Sequence, residues 1–212
     1  MPGREETELR TSSQESLQHR ALRLVLTTQV LFFVALAWCV IQVHNHVAQN
    51  AGISYYAVHH GTVVVAVVGY VAAAIGLWRT STLFRLGRLD PLIWLGLRIV
   101  AVVLILLLLT PYSGGAFLNW SHMTVGVVGA LVQLAISITL LRRYGSLGAI
   151  LGFSVQLAGG ILGALSLPDW RFEYLLYSEI LFQLGFCWCL IGWTRILPKG
   201  GGPDHVDRLA GL

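Results

Sequence analysis

The sequence predicts an all-α, polytopic integral membrane bundle of six transmembrane helices with both termini cytoplasmic. Three observations lead there. Of its 212 residues, 56% are hydrophobic and only 11% charged, whereas charged residues make up about 25% of an ordinary soluble domain; the mean hydropathy is +0.72. The charges are confined to short stretches, leaving residues 24–78, 99–141, 144–168 and 180–194 without any Asp, Glu, Lys or Arg. The apolar runs are continuous rather than alternating, which favours helices over barrel strands, whose signature has period two. This balance excludes a soluble domain and intrinsic disorder. A net charge of +4 with a pI near 9.2 does not imply nucleic-acid binding, because the arginines flank apolar runs, where they orient a membrane protein.

A hydrocarbon core of about 30 Å needs roughly 20 apolar residues per helix. Six runs satisfy this: 24–43, 61–78, 92–110, 123–141, 147–167 and 175–196. The first is too long for the apolar core of a signal peptide, follows a polar stretch and lacks a small-residue cleavage site, so it is expected to remain as span one. Span three opens with Asp90 and Pro91, a cap residue and a first-turn proline, which makes its start the best-defined boundary. Span five carries Gly148-x-x-x-Gly152 and Gly159-x-x-x-Gly163, spacings that let helices approach closely in lipid. Packing within the bundle is the preferred use of these glycines, with packing between subunits as the alternative.

Residues 1–23, with Glu5, Glu6, Glu8 and Glu15, are too polar to build a core and read as a flexible cytoplasmic tail; residues 24–197 form the transmembrane domain and residues 198–212, rich in glycine, a second flexible tail. Arg4, Arg10, Arg20 and Arg23 precede span one, Arg79, Arg85 and Arg88 join spans two and three, Arg142 and Arg143 join four and five, and Arg195 at the end of span six is followed by Lys199 and Arg208. The opposite connections, 44–60 and 111–122, carry no such charge, and the last offers only Arg171 as a cation. The positive-inside rule therefore places both ends in the cytoplasm and the chain in a plasma membrane. The two halves show no convincing internal repeat.

Few residues inside the spans carry chemistry. Arg98 is the one cation away from the end of a predicted span, about 10 Å beyond Pro91 along the helix. It either snorkels to the cytoplasmic surface or makes an ion pair or anionic-lipid contact there. Glu179, Gln183 and Cys187 share one face of span six. Gly126, Ala130, Gln133 and Ser137 line span four, and Gln156 belongs to span five. With Ser54, His59 and His122 on the outer side, Glu179, Gln183, Gln133 and Gln156 are candidates for a polar or ligand pocket, although buried glutamines more often join helices by hydrogen bonds. Five of the seven histidines, His44, His46, His59, His60 and His122, lie on the outer side. They suit an interfacial polar layer, a proton-responsive site or, less well, a metal or haem site, since no His-x-x-x-His pair fixes ligand geometry.

Cys39, Cys187 and Cys189 lie within spans and read as buried thiols, and the Trp and Tyr residues cluster near span ends as interfacial anchors. No phosphate-binding loop, Gly-x-Ser-x-Gly elbow or His-Glu-x-x-His signature occurs. Ser121 and His122, with Ser54 and His59 across the first outer loop, are a minor serine-hydrolase candidate. No catalytic set is assigned and no cofactor is required.

The order Ile53-Ser54-Tyr55, Gly76-Leu77-Trp78-Arg79, Thr110-Pro111, Ser121-His122 and Leu140-Leu141-Arg142-Arg143 resembles that of small bacterial six-helix membrane proteins related in outline to the DRAM-like family. Tyr55 stands where an acidic residue often follows the outer-loop serine. The resemblance implies a six-helix bundle with an outward polar pocket and a role in membrane or lipid organisation. The use of 13 Arg against one Lys suits a GC-rich bacterium. The leading expectation is a non-enzymatic membrane protein that binds membrane lipids, a partner membrane subunit or a second copy of itself, and not nucleic acid. The alternatives are a small-solute or proton-coupled transporter or permeation subunit, and a haem-binding redox subunit.

Overall fold

A computed structural model describes residues 3–86, 90–166 and 174–194, and the described residues hold seven α-helices and no strand. They are α1 (Gly3–Gln42), α2 (His46–Ala51), α3 (Val63–Leu86), α4 (Pro91–Leu109), α5 (Ala116–Tyr144), α6 (Leu147–Ser166) and α7 (Leu175–Thr194), with a 3₁₀ turn at Ile53–Ala57. All except α2 contain a segment long and apolar enough to cross a bilayer. The chain is thus a six-span, all-helical integral membrane protein. One face of the bundle carries the loop of α2 and the 3₁₀ turn together with the α4–α5 connection, and is called the loop face; the opposite one, where α3, α5 and their arginines end, is the arginine face.

Two spans run longer than the apolar pattern implies. α3 continues past Trp78 to Leu86 and α5 starts at Ala116 rather than near Met123, because Trp, His and Arg at a membrane boundary end an apolar run without ending a helix. The polar N-terminal stretch continues the first span, α1 being helical from Gly3 without a break into it. Glu, Gln, Leu and Arg between residues 5 and 23 are good helix formers, no proline interrupts them, and a span already nucleated propagates at little cost. The tail from 198 and Arg88, Arg171, Arg195, Lys199 and Arg208 lie outside the described residues.

Successive helices pack in chain order, α1 on α3, α3 on α4 and α4 on α5, while α6 and α7 form the most extensive pair and meet α5 and α1 over smaller areas. Glycine makes the α6–α7 pair. A Cβ on Gly152 would stand 2.9 Å from the backbone nitrogen of Cys189, one on Gly159 would strike the backbone of Phe182, and one on Gly185 that of Gln156. Two helix backbones therefore touch, with dispersion in place of a hydrophobic force that lipid cannot supply. The small-residue spacing of span five is used within the chain.

The Asp90 boundary forms as the sequence implies. Its carboxylate accepts the amide of Leu92 at 2.8 Å with Pro91 in the first turn. The same carboxylate pairs with Arg143 at the end of α5, which ties α4 and α5 together at the arginine face.

Candidate functional site

The loop face is built from backbone groups as much as side chains. Asn45 caps α2 by accepting the amide of Ala48 at 2.8 Å, and its own amide donates to the Tyr55 hydroxyl at 3.2 Å. α2 ends at Gly52, whose φ of 75° turns the chain into the 3₁₀ segment, a conformation that L side chains rarely adopt. A Cβ there would also collide with the Glu179 carboxylate. The next amide, that of Ile53, donates to Glu179 Oε2 at 2.6 Å. Glu179, half-buried one turn into α7, thereby fastens the first loop to the last span. Tyr56 is buried beneath this loop, and burial pushes its phenol up to about 12.

Ser54 follows directly and meets His122. Its Oγ lies 2.8 Å from His122 Nε2, and His122 Nδ1 lies 2.7 Å from the carbonyl oxygen of Thr110. That carbonyl is free because α4 ends at Leu109 and the Gly114 amide, which a continued helix would bring to it, donates instead to the Pro111 carbonyl at 3.0 Å. The buried Tyr70 of α3 faces Ser54, and Glu179 lies within electrostatic reach of Tyr70. Tyr112 packs edge-on against the His122 ring at 6.0 Å, and burial raises its phenol. A recess of about 10 Å³ opens beside Ser54, Tyr70, Tyr112 and His122, walled by Leu107 and Leu108.

The remaining polar candidates do not join this cluster. Gln133 and Ser137 on α5 and Gln156 on α6 are buried. From the arginine-face ends of their helices, Gln133 and Gln156 lie about 17 Å and about 14 Å into the bundle. Gln133 Oε1 and both amide atoms of Gln156 lack a hydrogen-bond partner among the described residues. Gln183 is half-buried on α7, one turn below Glu179.

Arg98 sits at the opposite end, on α4. Its Nε donates to Ser81 of α3 at 3.0 Å, and its guanidinium carbon is 5.0 Å from the Trp78 ring centroid and 5.4 Å from that of Trp94. Helical side chains lean toward the N-terminus, so in α4 the arginine leans toward the arginine face and over Trp94, one turn earlier. Among the described residues no carboxylate pairs with it, and Trp78 is 47% exposed on the bundle surface.

The other outer histidines are spread through the loop. His44 contacts Gln49 at 3.0 Å and Tyr177 at 3.4 Å, and His59 stacks on Tyr55 and accepts the Gly61 amide at 3.2 Å. Among the described residues no three His, Cys, Asp or Glu side chains stand close enough to hold a metal ion, so His44, His46, His59, His60 and His122 form no common centre. The three cysteines are buried and unpaired as disulfides. Tyr70, Tyr112, the Ile53 amide and the Thr110 carbonyl belong to the loop-face cluster although the sequence reading did not select them. For Tyr70 a signal existed: a phenol seven residues inside an apolar span needs a polar neighbour.

Fold and site together define a six-span integral membrane protein with a polar cluster under its loop face and a cation between two indoles near its arginine face. No family model, curated protein or solved structure matches the chain.

Proposed function

We propose that this protein binds anionic membrane lipid, with Arg98 as the headgroup contact, in a plasma membrane whose cytoplasmic side is the arginine face. The observation that carries this reading is the Arg98 platform. A cation within a span needs a counter-charge or a route to the surface. Arg98 has two aromatic faces and one hydroxyl, which orient the guanidinium, and among the described residues no carboxylate claims its terminal nitrogens. Two such ring contacts contribute about 0.5–2 kcal/mol each and favour a planar guanidinium that can grip two phosphate oxygens. Trp78 and the exposed Leu92, Leu95 and Ile99 give the acyl chains a surface beside it.

Native mass spectrometry of protein released from nanodiscs holding equal phosphatidylglycerol and phosphatidylcholine tests the reading. The expected result is preferential retention of phosphatidylglycerol, lost in Arg98→Ala and weakened in Arg98→Lys. Equal retention of both lipids, or a preference untouched by Arg98→Ala, would exclude the site. A second polypeptide retained in place of lipid would move the reading to a partner membrane subunit.

Permeation is the second reading, supported by Gln133 Oε1 and the Gln156 amide, which have no hydrogen-bond partner among the described residues and lie at similar depth. Solute or proton flux in proteoliposomes that Gln156→Leu abolishes would favour it over lipid binding alone.

A further inference from the structure

We infer that Ser54 is a nucleophile activated by His122, and that the loop face can cleave an acyl ester presented at the membrane boundary. The argument begins with a proton. A carbonyl oxygen only accepts hydrogen bonds, so the 2.7 Å contact with Thr110 places the hydrogen of His122 on Nδ1. In the neutral ring Nε2 is then a bare lone pair, and its 2.8 Å partner, Ser54 Oγ, must be the donor. This is the arrangement of a serine with its general base, the base being held in tautomer and orientation by a third group. Here the third group is a main-chain carbonyl. Thr110 is a positioning residue, and its carbonyl is available because α4 stops at Leu109 and the Gly114 amide turns to Pro111 instead.

The surroundings add to the geometry. Ser54 and His122 are both half-buried rather than sealed, and they border the recess of about 10 Å³, the size of one water molecule or one carbonyl oxygen. Tyr70 lines the same recess as Ser54, which puts a phenol, a hydrogen-bond donor, beside an oxyanion formed on a carbonyl seated there. The recess is walled by Leu107 and Leu108, near the end of α4, with Leu109 exposed beside them. His122 lies about 9 Å into α5 from its start at Ala116, so the pair stands where bilayer meets water. An amphiphile could place its ester at this level while its chain stays in lipid.

The reaction balances without a cofactor. Ser54 Oγ forms a bond to the acyl carbon as its proton passes to His122 Nε2. The tetrahedral adduct collapses, the ester C–O bond breaks, and the leaving oxygen takes the proton from Nε2 to depart as an alcohol. Water from the loop side then attacks the acyl-serine, again giving its proton to Nε2, and Ser54 Oγ recovers that proton as the carboxylic acid leaves. Ser121 has no part in this, since it projects about 100° round α5 from His122, and His59 is engaged with Tyr55 and Gly61.

The full chain in nanodiscs, treated with an alkyl fluorophosphonate and digested for peptide mass spectrometry, tests the inference without a variant. The expected result is phosphonylation mapped to Ser54. His122→Asn, whose amide can still donate to Thr110 but cannot take a proton, should slow labelling at least about 100-fold, the usual contribution of a general base, while Ser121→Ala leaves it unchanged. No label on the wild-type chain, label on another serine, or a rate unaffected in a folded His122→Asn protein would overturn the proposal. If that variant does not fold, the wild-type map still decides.

Discussion

Polar groups under the loop and polar groups at mid-depth are treated differently by the same fold. Beneath the loop, the Asn45, Ser54, His122 and Glu179 side chains each have a partner, and three of them meet a main-chain group: the Ala48 amide, the Thr110 carbonyl and the Ile53 amide. At mid-depth, Gln133 on α5 and Gln156 on α6 keep side-chain atoms without a hydrogen-bond partner among the described residues. The cause lies in the backbone. Where helices end, amides and carbonyls are unspent and can meet side chains; mid-helix they are already bonded to one another. A hydroxyl at mid-depth can still fold back onto its own helix, as Thr28 does onto the Leu24 carbonyl at 2.8 Å, whereas a longer glutamine amide turns to another side chain, to water or to a ligand. Apart from Asn50 Oδ1 and the Tyr56 hydroxyl, which have no partner among the described residues, the loop-end groups satisfy one another, whereas the two mid-depth glutamines are places that a small polar molecule would complete.

The largest effect that would break this comparison comes from the helix pairing that holds Gln156 in place. Gly185→Val drives a side chain into the backbone of Gln156. The α6–α7 pair must separate, at a cost at or above the upper end of the roughly 1–3 kcal/mol typical of overpacking. Thermal unfolding in detergent should show a large loss, whereas Gly115→Ala, where a Cβ meets nothing within 4 Å but φ is 106°, should lose less. Equal stability of Gly185→Val and the wild-type chain would mean that the two backbones do not touch.

Next in size is the latch. Glu179→Ala leaves the Ile53 amide without its acceptor beneath the loop, and an orphaned buried donor costs about 1–3 kcal/mol. Glu179→Gln keeps a carbonyl oxygen at the same reach and should recover most of that. The loop should also exchange its amide hydrogens faster in Glu179→Ala, Ile53 first. An unchanged exchange rate at Ile53 would remove the latch.

The pattern of spans was legible because apolar runs of bilayer length have few other uses. So was the cap at Asp90, where two adjacent letters specify a helix start. The Ser54–His122 pair was visible only as candidates, since 68 positions separate them and only the way the loop folds decides which histidine arrives. His59, far nearer in sequence, stacks elsewhere. Glu179 stood out as an intramembrane acid, but its partner is a backbone amide, which no letter encodes. Arg98 was legible as a cation in a span, with Trp94 four residues before it on the same helical face; Trp78 came from another helix and could not be paired with it by spacing alone.

A smaller test concerns Tyr56, the one loop-end phenol buried without a hydrogen-bond partner among the described residues. Its phenol is raised from 10.0 to about 12 because burial disfavours the phenolate. The folded state thus holds the proton more tightly than the unfolded chain. Its contribution is fully present below pH 10 and is lost as pH rises from 10 toward 12. Relative to Tyr56→Phe, the wild-type protein should lose about 1 kcal/mol of stability by pH 11. Parallel pH profiles for the two proteins would show that Tyr56 titrates as an ordinary tyrosine.

The smallest expected effect is also the sharpest for the comparison. Gln156→Leu replaces an amide with two unpaired buried atoms by an apolar group of similar size. If those atoms lack any partner, the change removes a desolvation cost and stability stays level or rises by about 1 kcal/mol. If water or a bound polar molecule meets those atoms, the same substitution expels it and destabilises the protein by a similar amount, and where one molecule bridges both glutamines Gln133→Leu shows non-additive coupling in a double-mutant cycle. The sign of one measured difference therefore separates a polar pair left over from helix packing from a mid-membrane binding position.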